Sequence, residues 1–221
     1  MGNSAFFSMR LSLQVATVAT AMVFFFGLPV AYLLASRRFR GTEMLDMLLT
    51  LPLVLPPTVT GYYLVILFGR SGIIGKYVYE WTGWNIMFTW YAAVLASFVV
   101  SLPLMIKTAR AAMESVDRNL INASYTMGHS NLDTALKVIF PLAKKGIIAG
   151  AVLSFARAMG EFGATIMLAG NIPGKTDTVP IAIYSLAGSG EWSKAHAMVA
   201  VFTIISGVFL YIANRFGKRV L

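Results

Sequence analysis

The chain has 221 residues, of which 57% are hydrophobic and only 12% charged, a balance that excludes an ordinary soluble domain. Its net charge of +9 comes without any basic tract interleaved with aromatics, so it does not point to nucleic acid. With no cysteine there is no disulfide framework, iron–sulfur site or thiolate zinc site, and the two histidines, His129 and His196, are too far apart to suggest a metal centre.

A hydrocarbon core about 30 Å thick needs roughly 20 apolar residues per helix. Five segments meet that test: 11–35, 47–69, 89–108, 146–168 and 196–214. Backbone groups cannot go unpaired in lipid, so all five are predicted to be helices of an all-α integral membrane protein. The first is read as a retained span and not a cleavable signal peptide. Its apolar stretch is too long, and Arg37-Arg38 follow it instead of preceding it.

The second span carries TLPLVLPPTVTG at 50–61, with Pro52, Pro56 and Pro57 inside an apolar run. Proline lacks an amide donor and clashes with the preceding turn, costing about 3 kcal/mol or more within a helix. Broken helices at membrane depth are tolerated where they are buried in protein or line a watery cavity. Thr58, Thr60 and Gly61 follow at once and offer hydroxyls and close backbone approach to a polar solute. The segment is therefore either a kink that shapes packing or a stretch of translocation pathway made by Pro56, Pro57, Thr58, Thr60 and Gly61.

Between the second and third spans, residues 70–88 form an expected outer loop. Trp81, and Trp90 just beyond it, have the usual role of aromatics at a membrane interface. After the third span comes a polar island, NASYTMGHSNLDTALKVIFP at 122–141, that runs straight back into an apolar segment. Arg110, Glu114, Asp117, Arg118, Asp133 and Lys137 around it have partly helical spacing, which reads as a solvated face or as a helix held in a partner's groove.

The fourth span contains FARAMGEFGATI at 155–166, with Arg157 and Glu161 four apart and so on one helical face. A lone charge near the bilayer centre costs roughly 2.5–3.5 kcal/mol, and such residues face the interior of a bundle. The pair is either a staple between helices or a gate whose partners change between states. Gly160 and Gly163 flank the acid and would permit close helix approach. A second outer loop, 169–195, precedes the last span.

Lys and Arg placement orients the chain. With the N-terminus outside, the inner loops hold Arg37, Arg38, Arg40, Lys107, Arg110, Arg118, Lys137, Lys144, Lys145, Arg215, Lys218 and Arg219, against Arg10, Arg70, Lys76, Lys175 and Lys194 outside. The polar island then faces the cytoplasm. No P-loop pattern is present, so an ATP-driven process needs its motor on another polypeptide. No cluster of acids, bases and a nucleophile at one depth suggests an enzyme.

The island resembles the cytoplasmic coupling loop of bacterial ABC importer permeases, whose pattern is Glu-Ala-Ala, three residues, Gly, nine residues, Ile-x-Leu-Pro. Ala123, Gly128 and Pro141 match, while Asn122, Ser124, Val138 and Phe140 are mild departures. The runs LPLVLPPTVTGYYL (51–64) and FARAMGEFGATIMLAGNIPGKTDTVPIAIYS (155–185) look like those of the molybdate permease family, ModB, over roughly 40–215. Sulfate and thiosulfate permeases share a similar run but are usually longer by a span, and tungstate permeases are close as well.

This resemblance implies one permease domain over 1–221 with the MetI-like fold, and a coupling loop at 122–141 within it. Asn122, Ala123, Ser124, Gly128, Val138 and Pro141 would couple it to an ATPase. The expected assembly is an inner-membrane homodimer in lipid with two ATP-binding cassette subunits and a periplasmic or lipid-anchored oxyanion-binding protein. No cofactor is expected in this chain, since ATP and Mg would bind the ATPase.

Overall fold

A computed structural model describes residues 2–36 and 40–219, without side-chain placement at 2, 3 and 212–219. Arg37 and Arg38 lie outside the described residues, as do the side chains of Arg215, Lys218 and Arg219. Among the described residues every regular element is helical. Four of them are long and apolar enough to cross a membrane, and a bent pair brings the crossings to five when it is counted as one span.

The first span is α1 (Gly2–Ser36), longer than the predicted 11–35 and with Pro29 inside it. The second is not one helix. α2 (Thr42–Val54) and α3 (Pro57–Phe68) meet at 116°, with Leu55 and Pro56 in extended backbone between them. Pro57 sits in the first turn of α3, where its missing N–H is no loss. After a short amphipathic helix, α4 (Gly75–Thr82), the third span is α5 (Trp90–Glu114), opened by Thr89, whose hydroxyl accepts from Ala92 N–H.

The polar island is not a single helix either. α6 (Arg118–Thr126) starts on Asp117, whose carboxylate accepts from Asn119 N–H. The chain reverses at Gly128 with φ +85°, a conformation that favours glycine. It then forms α7 (Asn131–Thr134) and a π-helical turn at Ala135–Ile139 that leads directly into α8 (Phe140–Met159).

The predicted span 146–168 is corrected in two ways. Its helix begins earlier, at Phe140, with Pro141 in the first turn, and it stops at Met159. A separate helix, α9 (Gly163–Ala169), follows a break at 160–162. The loop predicted at 169–195 holds α10 (Val179–Gly188), and the last span is α11 (Trp192–Arg219).

α5 is the axis of the protomer. α1 packs along it in the same direction, with Gly27 close to Leu102 and Met105 and Phe26 edge-on to Phe98. α8 runs antiparallel to α5. A methyl on Gly146 would lie 2.2 Å from Ala112 Cβ, and Ser154 Oγ donates to Ser101 O at 3.3 Å. Two buried clusters result. One joins Leu11, Val15, Ala92, Ala96, Ala164 and Leu168; the other joins Val23, Ala31, Met105, Ile106, Ile139 and Ile147.

Residues 115–139, the end of α1 and the start of α2 gather at one end of this bundle. The N-terminus, 69–89 and 170–191 gather at the other. There a clasp ties α1 to the segment before α10. Ser8 Oγ donates to Asp177 Oδ2 (3.1 Å), Gly174 N–H to Asp177 Oδ1 (2.9 Å), and Val179 N–H to Ser12 Oγ (2.8 Å). Thr176, Asp177 and Thr178 are buried by it, while Pro173, Gly174 and Lys175 stay exposed. At the same end Trp81 is exposed, as expected of an anchor, but Trp90 is half-buried against the first core cluster.

Candidate functional site

The residues singled out in the sequence fall in two places at opposite depths. The first is the end formed by 115–139. Ser124 on α6 and Thr134 on α7 are both fully buried, and their hydroxyls share a hydrogen bond of 2.9 Å that holds the two short helices together. Residue 124 must be small to sit there. His129 N–H donates to Ser124 O (3.2 Å) and closes the turn at Gly128. Tyr32 of α1 donates to Asn131 O (3.2 Å) and stacks edge-on against Phe140, fixing the element to the bundle.

Asn122, Ala123, Gly128 and Pro141 are exposed, and Val138 is half-buried. Beside them stand Leu120, Tyr125, Met127, Leu132 and Leu136, all exposed, with Met127 at 70% and Leu132 at 67%. An apolar row on a polar, hydrogen-bonded element is the arrangement by which a helix lies in another protein's groove.

Next to α6 a cavity of about 1090 Å³ is lined by Arg40, Glu43, Arg110, Glu114, Arg118, Asn122 and apolar residues including Leu34 and Ile139. On its flank Asp46 of α2 accepts from Lys107 Nζ at 2.7 and 2.9 Å and faces Arg110 Nη1 at 3.4 Å, while Arg110 Nε donates to Glu114 at 2.7 Å. No side chain of α2 is buried, so this charge network is its principal polar tie to α5. Sequence reasoning missed Thr134, Tyr32 and Asp46; a lone acid at the edge of an apolar span was the available signal for Asp46.

The second place is where α3, α8 and α9 meet. Gly61 and Gly163 form a close crossing. A methyl on Gly61 would sit 2.8 Å from Ala164 Cα and from Met167 Cβ, and one on Gly163 2.8 Å from Pro57 Cβ. Gly160 has no such role, since its nearest neighbour would be Ala156 O at 3.9 Å. Pro56, Pro57 and Thr58 are exposed in the protomer, whereas Thr60 and Gly61 are buried against α9. The Oγ1 atoms of Thr60 and Thr165 are buried with no hydrogen-bond partner among the described residues.

Arg157 and Glu161 do meet, but not on one helical face. Arg157 is in the last turn of α8, and Glu161 lies in the break before α9. Each charge therefore sits at the helix end whose dipole favours it. Arg157 Nη1 is 2.7 Å from Glu161 Oε2, at an angle outside that of a hydrogen bond, so the contact is coulombic. Glu161 Oε1 accepts from Ala164 N–H at 2.8 Å. The glutamate side chain is 1% exposed and the arginine 29%. No group of three or more potential metal-ligating residues occurs among the described residues.

The pattern of a family described as "Binding-protein-dependent transport system inner membrane component" matches residues 27–221. The molybdenum transport system permease protein ModB of Haemophilus influenzae is 40% identical over 213 residues, covering 96% of this chain and 93% of that protein. A putative molybdenum transport system permease protein, YvgM of Bacillus subtilis, is 41% identical over 202 residues, 91% of this chain and 88% of its own. The sulfate transport system permease protein CysT of Salmonella typhimurium is 33% identical over 215 residues, 96% of this chain but 77% of its own. Among solved structures, an inward-facing form of the MetNI methionine ABC transporter superposes with a TM-score of 0.77 at 18% identity, covering 100% of this chain and 96% of that one.

Proposed function

The chain belongs to the binding-protein-dependent transport system inner membrane components, and we propose that within that family it is the permease subunit of an ATP-driven importer of molybdate. It is a multi-pass protein of the inner membrane with the ABC importer permease fold. The observation that carries the cargo assignment is the 40% identity to a molybdenum permease along 96% of the chain, against 33% for the sulfate relative.

The working unit is a homodimer, since one protomer's spans hardly enclose a pathway and two copies about a two-fold axis do. Residues 1–221 act as one permease domain with its N-terminus outside, and 122–141 is its cytoplasmic coupling element. Asn122, Ala123, Ser124, Gly128, Val138 and Pro141 shape that element, and the apolar row from Leu120 to Leu136 enters a groove of a separate ATP-binding subunit. ATP and Mg act there and not in this chain. Closure of two such subunits moves the coupling elements and, through α8, the bundle.

Pro56, Pro57 and Thr58 line the pathway at the break between α2 and α3, Thr60 and Gly61 pack behind them against α9, and Arg157 with Glu161 gates it. The anion arrives from an external oxyanion-binding protein, where selectivity resides. A route with few fixed charges suits a dianion, because a deep trap would hold it.

The test is ATP-dependent uptake of radiolabelled molybdate in cells with and without the gene, in competition with tungstate and then sulfate. Gene-dependent uptake blocked by tungstate but not by excess sulfate is expected. Uptake displaced by sulfate as readily would move the cargo to sulfate, and uptake independent of the gene would remove molybdate altogether.

A further inference from the structure

The Arg157–Glu161 pair has an asymmetry that a simple staple does not need. Glu161 is fixed: its side chain is 1% exposed and it caps the start of α9 through Ala164 N–H. Arg157 meets it through Nη1 at 2.7 Å, is 29% exposed, and its guanidinium makes no hydrogen bond among the described residues. The guanidinium is also within membrane depth. Ser154, one turn before it, donates to Ser101 O, which lies about 17 Å along α5 from Trp90 at 1.5 Å per residue.

At that depth the exposed 29% of the arginine side chain cannot face hydrocarbon, because a charge there is tolerated only towards a bundle interior or a water-filled cavity. A water-facing guanidinium with free donors is suited to the paired oxygens of a tetrahedral oxyanion. Left alone it would also hold that anion too well.

We propose that Arg157 is the transient contact for the oxyanion in the pathway, and that Glu161 is a positioning residue whose charge keeps that contact weak enough to release its cargo. This deepens the importer reading and rests on it. A passing anion takes Arg157 from Glu161, which leaves a buried carboxylate with a single N–H donor. That state is costly, so Glu161 recaptures the arginine and the anion moves on. Because Glu161 also caps α9, and α9 crosses α3 at Gly61 and Gly163, each exchange is felt at the helix that carries Pro57 and Thr58.

The experiment uses the assembled complex with its ATPase subunits in nanodiscs, without the binding protein, and radiolabelled molybdate as the probe in equilibrium dialysis. Glu161→Gln keeps an oxygen for Ala164 N–H and removes the charge. It is expected to retain molybdate about tenfold more tightly than the unsubstituted complex, within the usual range of a coupling between two interactions. Proteoliposome uptake with the binding protein should be slower in the same variant. Adding Arg157→Gln should abolish the retention. The proposal is overturned if the assembled Glu161→Gln complex retains no more than the parent, or if the double variant still retains it.

Should Glu161→Gln fail to assemble, Arg157→Lys and Arg157→Gln at matched expression decide. Reduced uptake with Lys and none with Gln supports the contact; parental uptake with Gln refutes it. A parent complex that carries no molybdate refutes the cargo assignment instead, and the same variants are then read with sulfate.

Discussion

Gly61 is where α3 and α9 approach most closely, and replacing it with alanine isolates what that approach is worth. The added methyl would be 2.8 Å from Ala164 Cα, 2.8 Å from Met167 Cβ and 3.2 Å from Ala164 O. Two of those atoms are backbone, so no side chain can swing aside. The helices must separate by about 0.6 Å to restore ordinary contact, and overpacking of this kind costs about 1–3 kcal/mol. Alanine recovers about 0.4–1 kcal/mol by restricting the unfolded chain, which leaves a net cost of about 1–2 kcal/mol over most of that range. For a chain of this size that is a fall of about 2–8 °C in the melting midpoint of the purified protein in detergent. Gly207 is the control: a methyl there has nothing within 4 Å, so Gly207→Ala should melt at or slightly above the parent. A Gly61→Ala protein that melts with the Gly207→Ala control would refute the close crossing.

Three further outcomes follow from the geometry. Ser124→Ala leaves the Thr134 hydroxyl buried and unpaired, costing about 1–3 kcal/mol, and Ser124→Ala with Thr134→Val should recover part of it in thermal melts. Gly128 has φ +85° and open space around it, so Gly128→Val meets backbone strain of roughly 1–2 kcal/mol and no clash. Gly128→Asn should be milder, and the pair is read by ATPase activity coupled to uptake; equal uptake in both would argue against a required left-handed turn. Asp177→Ala removes the acceptor of Gly174 N–H and Ser8, so limited proteolysis should cut within 171–175 sooner than in the parent, and an unchanged cutting rate would show that the clasp is dispensable.

The four long crossings and their order are legible in the sequence because membrane thickness imposes one simple length rule. Breaks within crossings were read unevenly. At Pro56-Pro57 the missing donors are visible in the residue type itself, and the structure turns by 116° there. At 160–162 the apolar window simply continues from Ala158 into Ala164, so a hydropathy reading joined α8 to α9. The break is set by Glu161, whose carboxylate replaces a backbone acceptor for Ala164 N–H, and that is a matter of side-chain geometry. The proposed coupling element is marked in the sequence by spacing around Gly128, where the chain reverses with φ +85°. Its closure by Ser124 and Thr134, ten residues apart, depends on a chain reversal that no helical period encodes.

The clasp near the start of α1 bears on how the protein is made. Ser8 bonds to a residue 169 positions later, and Ser12 to one 167 later. Synthesis delivers α1 first, at about 5–20 residues per second, and the chain folds from its N-terminal part onward. The helix that enters the bilayer first is thus among the last to be fastened, and it must wait there until almost the whole chain has been threaded. In the interval the Ser8 hydroxyl is kept satisfied by Ser4 O, 3.1 Å away within the same helix. A chain cut short before Asp177 would carry an α1 that inserts but lacks the partner of Ser8 that fastens it.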